Sequence, residues 1–367
     1  MKIRLFFILF LMSLSLSAIT DGDSTLIKKI KKIEKNVKLL TIPIVYYTPE
    51  TKWGAGAAGV FRFKLKNEPD TFRHSNVLFS LSVTQLKQIV LGAPFQFWFK
   101  KEKYNIYGEP AYQNVNFLFY GVGNNNPPNY KEKYFTSFTR LRLAALRKVY
   151  PHIYAGFRYI FDYTTMYNLE KHGELIKGNI AGSNGGVVSG IGGTVKYDNR
   201  DNQFYPTRGQ YVELYALTNS QVTGSNFRFD KYSLDVSTSI PLPFKEVLVL
   251  NAYGVITTGD VPFYHLAMLG GEKKLRGIYE GRYRDKDCWV LQAEYRKELF
   301  WRIGMVAFVG IGDVAPNLNS FNGKYTQFTY GGGIRGTIDK KQHLNMRLDL
   351  GVNDQHINYY FTIGEAF

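Results

Sequence analysis

The chain has 367 residues and a net charge of +16, from 46 Lys and Arg against 30 Asp and Glu, with one cysteine. A single cysteine excludes an internal disulfide. The length admits two or three domains or one large barrel, and 27 Tyr with 27 Phe match the interface girdles of a membrane barrel.

Residues 1–18, MKIRLFFILFLMSLSLSA, read as a secretory signal. Lys2 and Arg4 form a basic start, Leu5 to Leu14 an apolar core, and Ser15, Ser17 and Ala18 a small-residue cleavage site. The apolar run is short for a membrane-spanning helix, which needs about 20 residues. Nucleic acid is a poor partner for an exported chain. The positive charge is instead expected to line an aqueous interior or to meet anionic lipid head groups.

Residues 19–40 form a short basic amphipathic segment. Ile27, Ile30, Ile33, Val37 and Leu40 recur at helical spacing among lysines. A solvated periplasmic leader is the plainest expectation; a helix on the membrane surface or in the barrel mouth is the alternative.

From Thr41 onward the text is strand, turn, strand, and it predicts sixteen strands. They fall near 42–48, 54–66, 75–87, 93–101, 103–113, 134–147, 150–164, 187–199, 208–219, 226–240, 246–258, 286–300, 302–312, 326–338, 342–353 and 357–367. In the seventh, Ile153, Ala155, Phe157, Tyr159 and Phe161 face one way, with Arg158 and Asp162 opposite. In the twelfth, Trp289, Leu291, Ala293, Tyr295 and Leu299 oppose Gln292, Glu294 and Arg296. In the fifteenth, Leu344, Met346, Leu348, Leu350 and Val352 oppose Asn345, Arg347, Asp349 and Asn353. Apolar-out and charged-in alternation describes a 16-stranded antiparallel transmembrane β-barrel with a polar interior, because lipid leaves backbone groups no other partner. A soluble sandwich would reverse the two faces. Joins alternate between short (Tyr150-Pro151, Phe300-Trp301) and long (114–133, 165–186, 259–285, 313–325), the asymmetry of periplasmic turns and extracellular loops.

Gly270, Gly271, Gly277 and Gly281 sit among Lys273, Lys274, Arg276, Arg282 and Arg284, so 265–286 is a long loop. The turn 197–209 carries Asp198, Arg200, Asp201, Asn202, Pro206 and Gly209. Its oxygen-rich side chains could ligate calcium, but these are ordinary turn formers, and a turn stapled by Arg200 or Arg208 to a carboxylate is the better expectation. Cys288 reads as a packed thiol. The six histidines are scattered, with no serine elbow and no zinc spacing. No metal, no cofactor and no enzymatic activity are expected.

Four motifs carry a resemblance. LGGEKKLRGIYEGRYRD (269–285), YDNRDNQFYPTRG (197–209), QAEYR (292–296) and YGGGIRG (330–336) with the tail IGEAF (363–367) resemble those of BamA/TamA-type barrels, the bacterial surface antigen superfamily, and of the two-partner-secretion transporters. YYTPETKWGAGA (46–57), FYGVGN (119–124) and GSNFRF (224–229) are similar to the branch with one signal peptide and one barrel. The resemblance covers 41–367. It implies that the long loop folds into the lumen, with Leu275-Arg276-Gly277-Ile278 at its tip and Arg276 paired to Glu294. The family's second acid would fall at Gly310, so a one-sided lock is implied. It further implies protein assembly or translocation, of polypeptide or lipid, at the bacterial outer membrane, through a seam between a short, Pro43-bearing first strand and a last strand bearing Tyr359, Phe361 and Phe367. The partners implied are outer-membrane lipid, unfolded outer-membrane or secreted polypeptides, and a separate periplasmic protein. Two other readings stay open: a gated pore favouring anions through Arg140, Arg142, Arg158 and Arg296, and a surface antigen whose loops meet external ligands.

Overall fold

The structure, a computed structural model, describes residues 37–48, 52–64, 72–127, 129–177, 179–340, 343–354 and 356–367. The predicted signal and most of the basic segment lie outside the described residues.

Sixteen antiparallel strands form one sheet among the described residues, counting Ile89–Gly92 and Phe95–Phe99 as halves of one interrupted strand. In chain order they are β1 (Val37–Thr48), β2 (Lys52–Phe63), β3 (Ser75–Thr84), β4 (the two halves just given), β5 (Tyr104–Phe119), β6 (Glu132–Tyr150), β7 (Ile153–Tyr167) and β8 (Gly186–Asp198). The second half comprises β9 (Gly209–Asn219), β10 (Phe229–Leu242), β11 (Glu246–Gly259), β12 (Asp287–Phe300), β13 (Ile303–Ala315), β14 (Gln327–Asp339), β15 (Leu344–Asn353) and β16 (His356–Ile363). Each strand pairs with its neighbours in sequence.

The interruption of β4 has a local cause. Pro94 has no N–H for the ladder, while its carbonyl accepts from Leu78 N (2.8 Å) and Ala93 N donates to Pro110 O (3.0 Å). The strand therefore spans 89–99 and ends where Lys100 and Lys101 take φ of 50° and 56°, not at 93–101 as the sequence suggested. β5 runs on to Phe119, beyond the predicted 113. Asn114, read as loop, is satisfied by the Tyr167 hydroxyl, so the ladder to β6 continues.

The expected alternation holds where it was clearest. On β7, Phe157, Tyr159 and Tyr163 are exposed while Tyr154, Ile160 and Asp162 are buried. On β15, Leu348 and Leu350 point out, and Asn345, Arg347 and Asp349 are buried. The interior is less uniformly polar than predicted. In the half nearer the long loops, Phe119, Tyr134, Ile160, Val188, Leu217 and Phe229 form an apolar lumen patch covered by Val261, Phe263 and Leu266.

β1 corrects two expectations. It is 12 residues long and not short, and Val37–Leu40 belong to it instead of continuing a helix. Pro43 sits within its ladder to β2, opposite Ala57. Among the described residues β1 pairs only with β2, and β16 only with β15. The two ends of the sheet nevertheless come round to each other, since Arg62 of β2 reaches Asp339 of β14 at 3.4 Å.

Candidate functional site: the loop held in the lumen

The chain from Asp260 to Lys286, joining β11 to β12, turns inward. Gly270 (φ 100°) and Gly277 (φ 112°) adopt backbone that side chains resist. Gly270 N donates to Lys274 O (2.8 Å) and Gly271 N to Ile278 O (3.1 Å), which closes a hairpin with Arg276 and Gly277 near its tip. Leu269, Leu275 and Ile278 pack against Val255, Cys288, Val290 and Val314 of the wall. Gln292 of β12 holds the hairpin from both sides: its Oε1 accepts from Leu275 N (3.0 Å) and its Nε2 donates to Lys273 O (3.0 Å). Lys274 contacts Asp235 at 2.8 Å and lies over the Tyr253 ring.

The tip carries the charge chemistry. Arg276 is 1% exposed. Its Nη2 pairs with Glu294 of β12, and its Nη1 meets Asp349 of β15 at 2.6 Å. The guanidinium stacks 3.6 Å above the Phe308 ring of β13. The arrangement is two-sided, which corrects the one-sided lock implied by Gly310. A Cβ at Gly310 would lie 2.8 Å from Leu275 Cδ1, so Leu275 fills the space a carboxylate would need. β15 supplies the second acid instead.

The network continues toward the C-terminus. Arg335 bonds Asp349 (2.5 Å) and Glu365 (2.7 Å), Arg296 bonds Glu294 (2.6 Å), and Arg347 lies 3.4 Å from Asp349. Arg296 Nη2 also donates to the Phe367 carbonyl at 2.9 Å. Phe367 therefore does not extend the outer apolar face of β16. The strand ends at Ile363, Gly364 turns at φ 89°, and residues 365–367 tuck into the lumen. Tyr359 and Phe361 do face outward.

β16 also touches the loop directly. Gly277 N donates to the Tyr360 hydroxyl (3.0 Å), that hydroxyl donates to Ile278 O (3.2 Å), and Asn358 Nδ2 donates to Gly277 O (2.7 Å). Asp349, Arg335, Asn358, Tyr360 and Glu365 were missed as site residues. The signal for Asp349 lay in its inward place on the fifteenth strand; for Asn358 and Tyr360 it lay on the polar pleat of the last.

The turn at 199–208 is stapled as its composition suggested, with an added partner. Asp198 takes Arg200 (3.0 Å) and, from the β2–β3 connection, Arg73 (2.7 Å). Arg208 contributes only its backbone: its N donates to the Asp201 carboxylate and its carbonyl accepts from Asp201 N. Burial acts to raise the Asp201 carboxyl, but hydrogen bonds from the Thr207 hydroxyl and from backbone amides hold it below its ordinary value. Asn202 Oδ1 accepts from Phe204 N and Tyr205 N, an Asx-type turn. Pro206 and Gly209 (φ 107°) complete it. Among the described residues no group of acids, histidines or cysteine is placed to hold a metal.

The four arginines proposed for an anion path are not equivalent. Arg140 is paired with Asp162, Arg158 with Glu213 and Arg296 with Glu294. With three of the four neutralised in this way and Arg142 alone lacking a carboxylate pair among the described residues, they do not form a row of free cations.

Residues 89–367 match the Omp85 superfamily domain. No curated protein matches the chain. Among solved structures, it is similar to BamA from Haemophilus ducreyi lacking POTRA domains 1–3 (TM-score 0.57, 13% identity), over 90% of this chain and 70% of that one. It is also similar to CdiB from Escherichia coli (0.56, 11%) and from Acinetobacter baumannii (0.58, 12%), each over 89% of this chain, which spans 61% and 59% of those proteins. Such identities establish the shared barrel fold. With a lumen-held loop, a charged network at its tip and a matching domain over most of its length, the chain is an outer-membrane β-barrel that belongs to the Omp85 superfamily.

Proposed function

We propose that this barrel assists the insertion or translocation of polypeptide at the outer membrane, with the β1/β16 seam as the place of passage and the Asp260–Lys286 loop as the element that controls it. The observation that carries this reading is the set of bonds from Gly277 and Ile278 to Asn358 and Tyr360. The loop tip is fastened to the strand whose other edge lies at the seam. Docking the loop stiffens that unpaired edge; releasing it frees the edge to move and to serve as a template for an incoming β-segment. Arg276, Gly277 and Glu294 hold the tip, Gly270, Gly271, Leu275 and Ile278 shape the hairpin, and Tyr359 and Phe361 present β16 to lipid. A separate periplasmic protein delivers the unfolded polypeptide.

Depletion of the protein with quantitation of the outer-membrane proteome tests the activity. A joint fall of several other barrels, with their precursors accumulating in the periplasm, is the expected result; an unchanged proteome overturns the assembly role. Complementation with a disulfide-locked seam then tests the route. Cysteines are scanned along residues 39–44 of β1 against β16, the native Cys288 being buried and therefore quiet. A locked barrel should fail to complement until it is reduced. Full complementation by the oxidised, locked barrel places passage elsewhere.

A further inference from the structure

At the rim of short turns a cavity of about 400 Å³ opens beneath β12, β13 and β14. In an outer-membrane barrel this rim faces the periplasm. Lys245, Arg302 and Lys340 line the cavity, and among the described residues none of the three has a carboxylate partner. Arg302 donates through Nη1 to Thr337 O (3.3 Å), while its Nε is buried and has no hydrogen-bond acceptor. The other cations there are already engaged: Lys297 with Glu246 (2.8 Å), Arg335 with Asp349 and Glu365. Glu298 is the one carboxylate of the lining, so the cavity carries an excess of positive charge.

Its surroundings are those of a membrane interface. Phe300 and Trp301, on its wall, are 70% and 80% exposed. Above them Leu299, Met305 and Ile334 expose an apolar strip on the outer face, Met305 and Ile334 being direct partners across the β13/β14 ladder. Free cations below, aromatic rings at the boundary and an apolar strip above match a phosphate head group with its acyl chains. A guanidinium with an unused N–H is well suited to a phosphate oxygen.

We propose that this cavity binds a phosphate ester, supplied as the head group of an anionic phospholipid of the inner leaflet. The test is a native mass-spectrometric titration of the full-length protein in detergent with phosphatidylglycerol, phosphatidylcholine and soluble glycerol 3-phosphate. Arg302→Gln/Lys340→Gln is compared with Lys324→Gln on the opposite rim, and folding of each variant is checked by its heat-dependent electrophoretic migration. Phosphatidylglycerol is expected to bind best and to be weakened about tenfold by the double substitution alone, the scale of one or two lost charge-assisted contacts. Equal affinity for glycerol 3-phosphate supports the phosphate site but assigns it to a soluble ester. Unchanged phosphatidylglycerol binding in the folded double variant, or no preference over phosphatidylcholine, overturns the proposal. Displacement of the lipid by a polyglutamate peptide, with no lipid preference of its own, reassigns the cavity to an acidic polypeptide and overturns it as well.

Discussion

Arg276 and Asp349 stand 73 positions apart in the chain and 2.6 Å apart in the lumen. Asp349 is fully buried and receives Arg335 and Arg347 as well. Removing it takes one carboxylate from three buried guanidinium groups, of which Arg276 keeps Glu294 and Arg335 keeps Glu365. Loss of one partner from a buried ion network costs about 3–5 kcal/mol. Asp349→Ala is therefore expected to lower stability by about that amount and to free the loop. Urea unfolding in micelles reads the first effect, and trypsin cleavage at Lys273, Lys274 or Arg276 reads the second. A variant whose loop stays as protected as wild type shows that the apolar anchors suffice.

Gly310 offers a sharper test of why the acid comes from β15. If position alone mattered, Gly310→Asp would restore the Asp349→Ala variant by returning a carboxylate to β13. Leu275 Cδ1 lies only 2.8 Å from the new Cβ, with Gln292 Cγ at 3.2 Å. We expect the double variant to be no more stable than the single, because the hairpin has to give up its Leu275 packing to admit the side chain. A double-mutant cycle showing a gain above about 1 kcal/mol sinks the packing explanation.

Gly277 and Tyr360 define the contact between loop and edge strand. At φ 112°, and with a Cβ placed 2.9 Å from Val352 O, Gly277→Ala is strained both internally and against β15. Tyr360→Phe keeps the ring and removes an acceptor for Gly277 N and a donor to Ile278 O, worth about 1–2 kcal/mol in all. Both variants should speed amide exchange at 275–279 and in β16, while the β6/β7 ladder stays unchanged. Faster exchange in the loop with β16 unaffected would separate the loop from the seam.

Much of this was legible in the sequence, for reasons that also mark its limit. Period-two alternation told inside from outside on β7, β12 and β15 because lipid and lumen impose opposite demands on successive residues. Arg276 and Glu294 could be named because both lie in recognisable local motifs. Asp349 could be placed inside but not assigned a partner, since no local pattern encodes which strand a loop tip reaches. Phe367 was misplaced for a related reason: strand periodicity was carried past Gly364, where the backbone turns. The interruption at Pro94 was missed because the bonds that replace it come from Leu78 and Pro110, on the two flanking strands. The lumen patch around Phe119 and Phe229 was missed because apolar residues on an inward pleat are intelligible only once Phe263 and Leu266 cover them.

His265 sets how the docked loop responds to acid. Its Nε2 is 2.9 Å from Asp162 Oδ2. Arg140 holds the other oxygen of Asp162 (2.8 Å), and Lys231 Nζ donates to the His265 carbonyl (3.1 Å). Burial pushes the imidazole down to about 4; Asp162 pulls the other way, while Lys231 and Arg140 add to the depression. An undocked loop restores a pKa of about 6.5. Between those values the undocked loop binds a proton that the docked loop excludes. Docking is thus at full strength above pH 6.5 and weakens as pH falls toward 4, by about 1.4 kcal/mol per unit at most. Trypsin protection of Lys273 and Lys274, sampled from pH 7.5 to 4.5 by brief acid incubation and labelling, should decline in wild type. His265→Gln, with no proton to gain, should give a flatter profile. Parallel decline in both proteins would move the titration to another group.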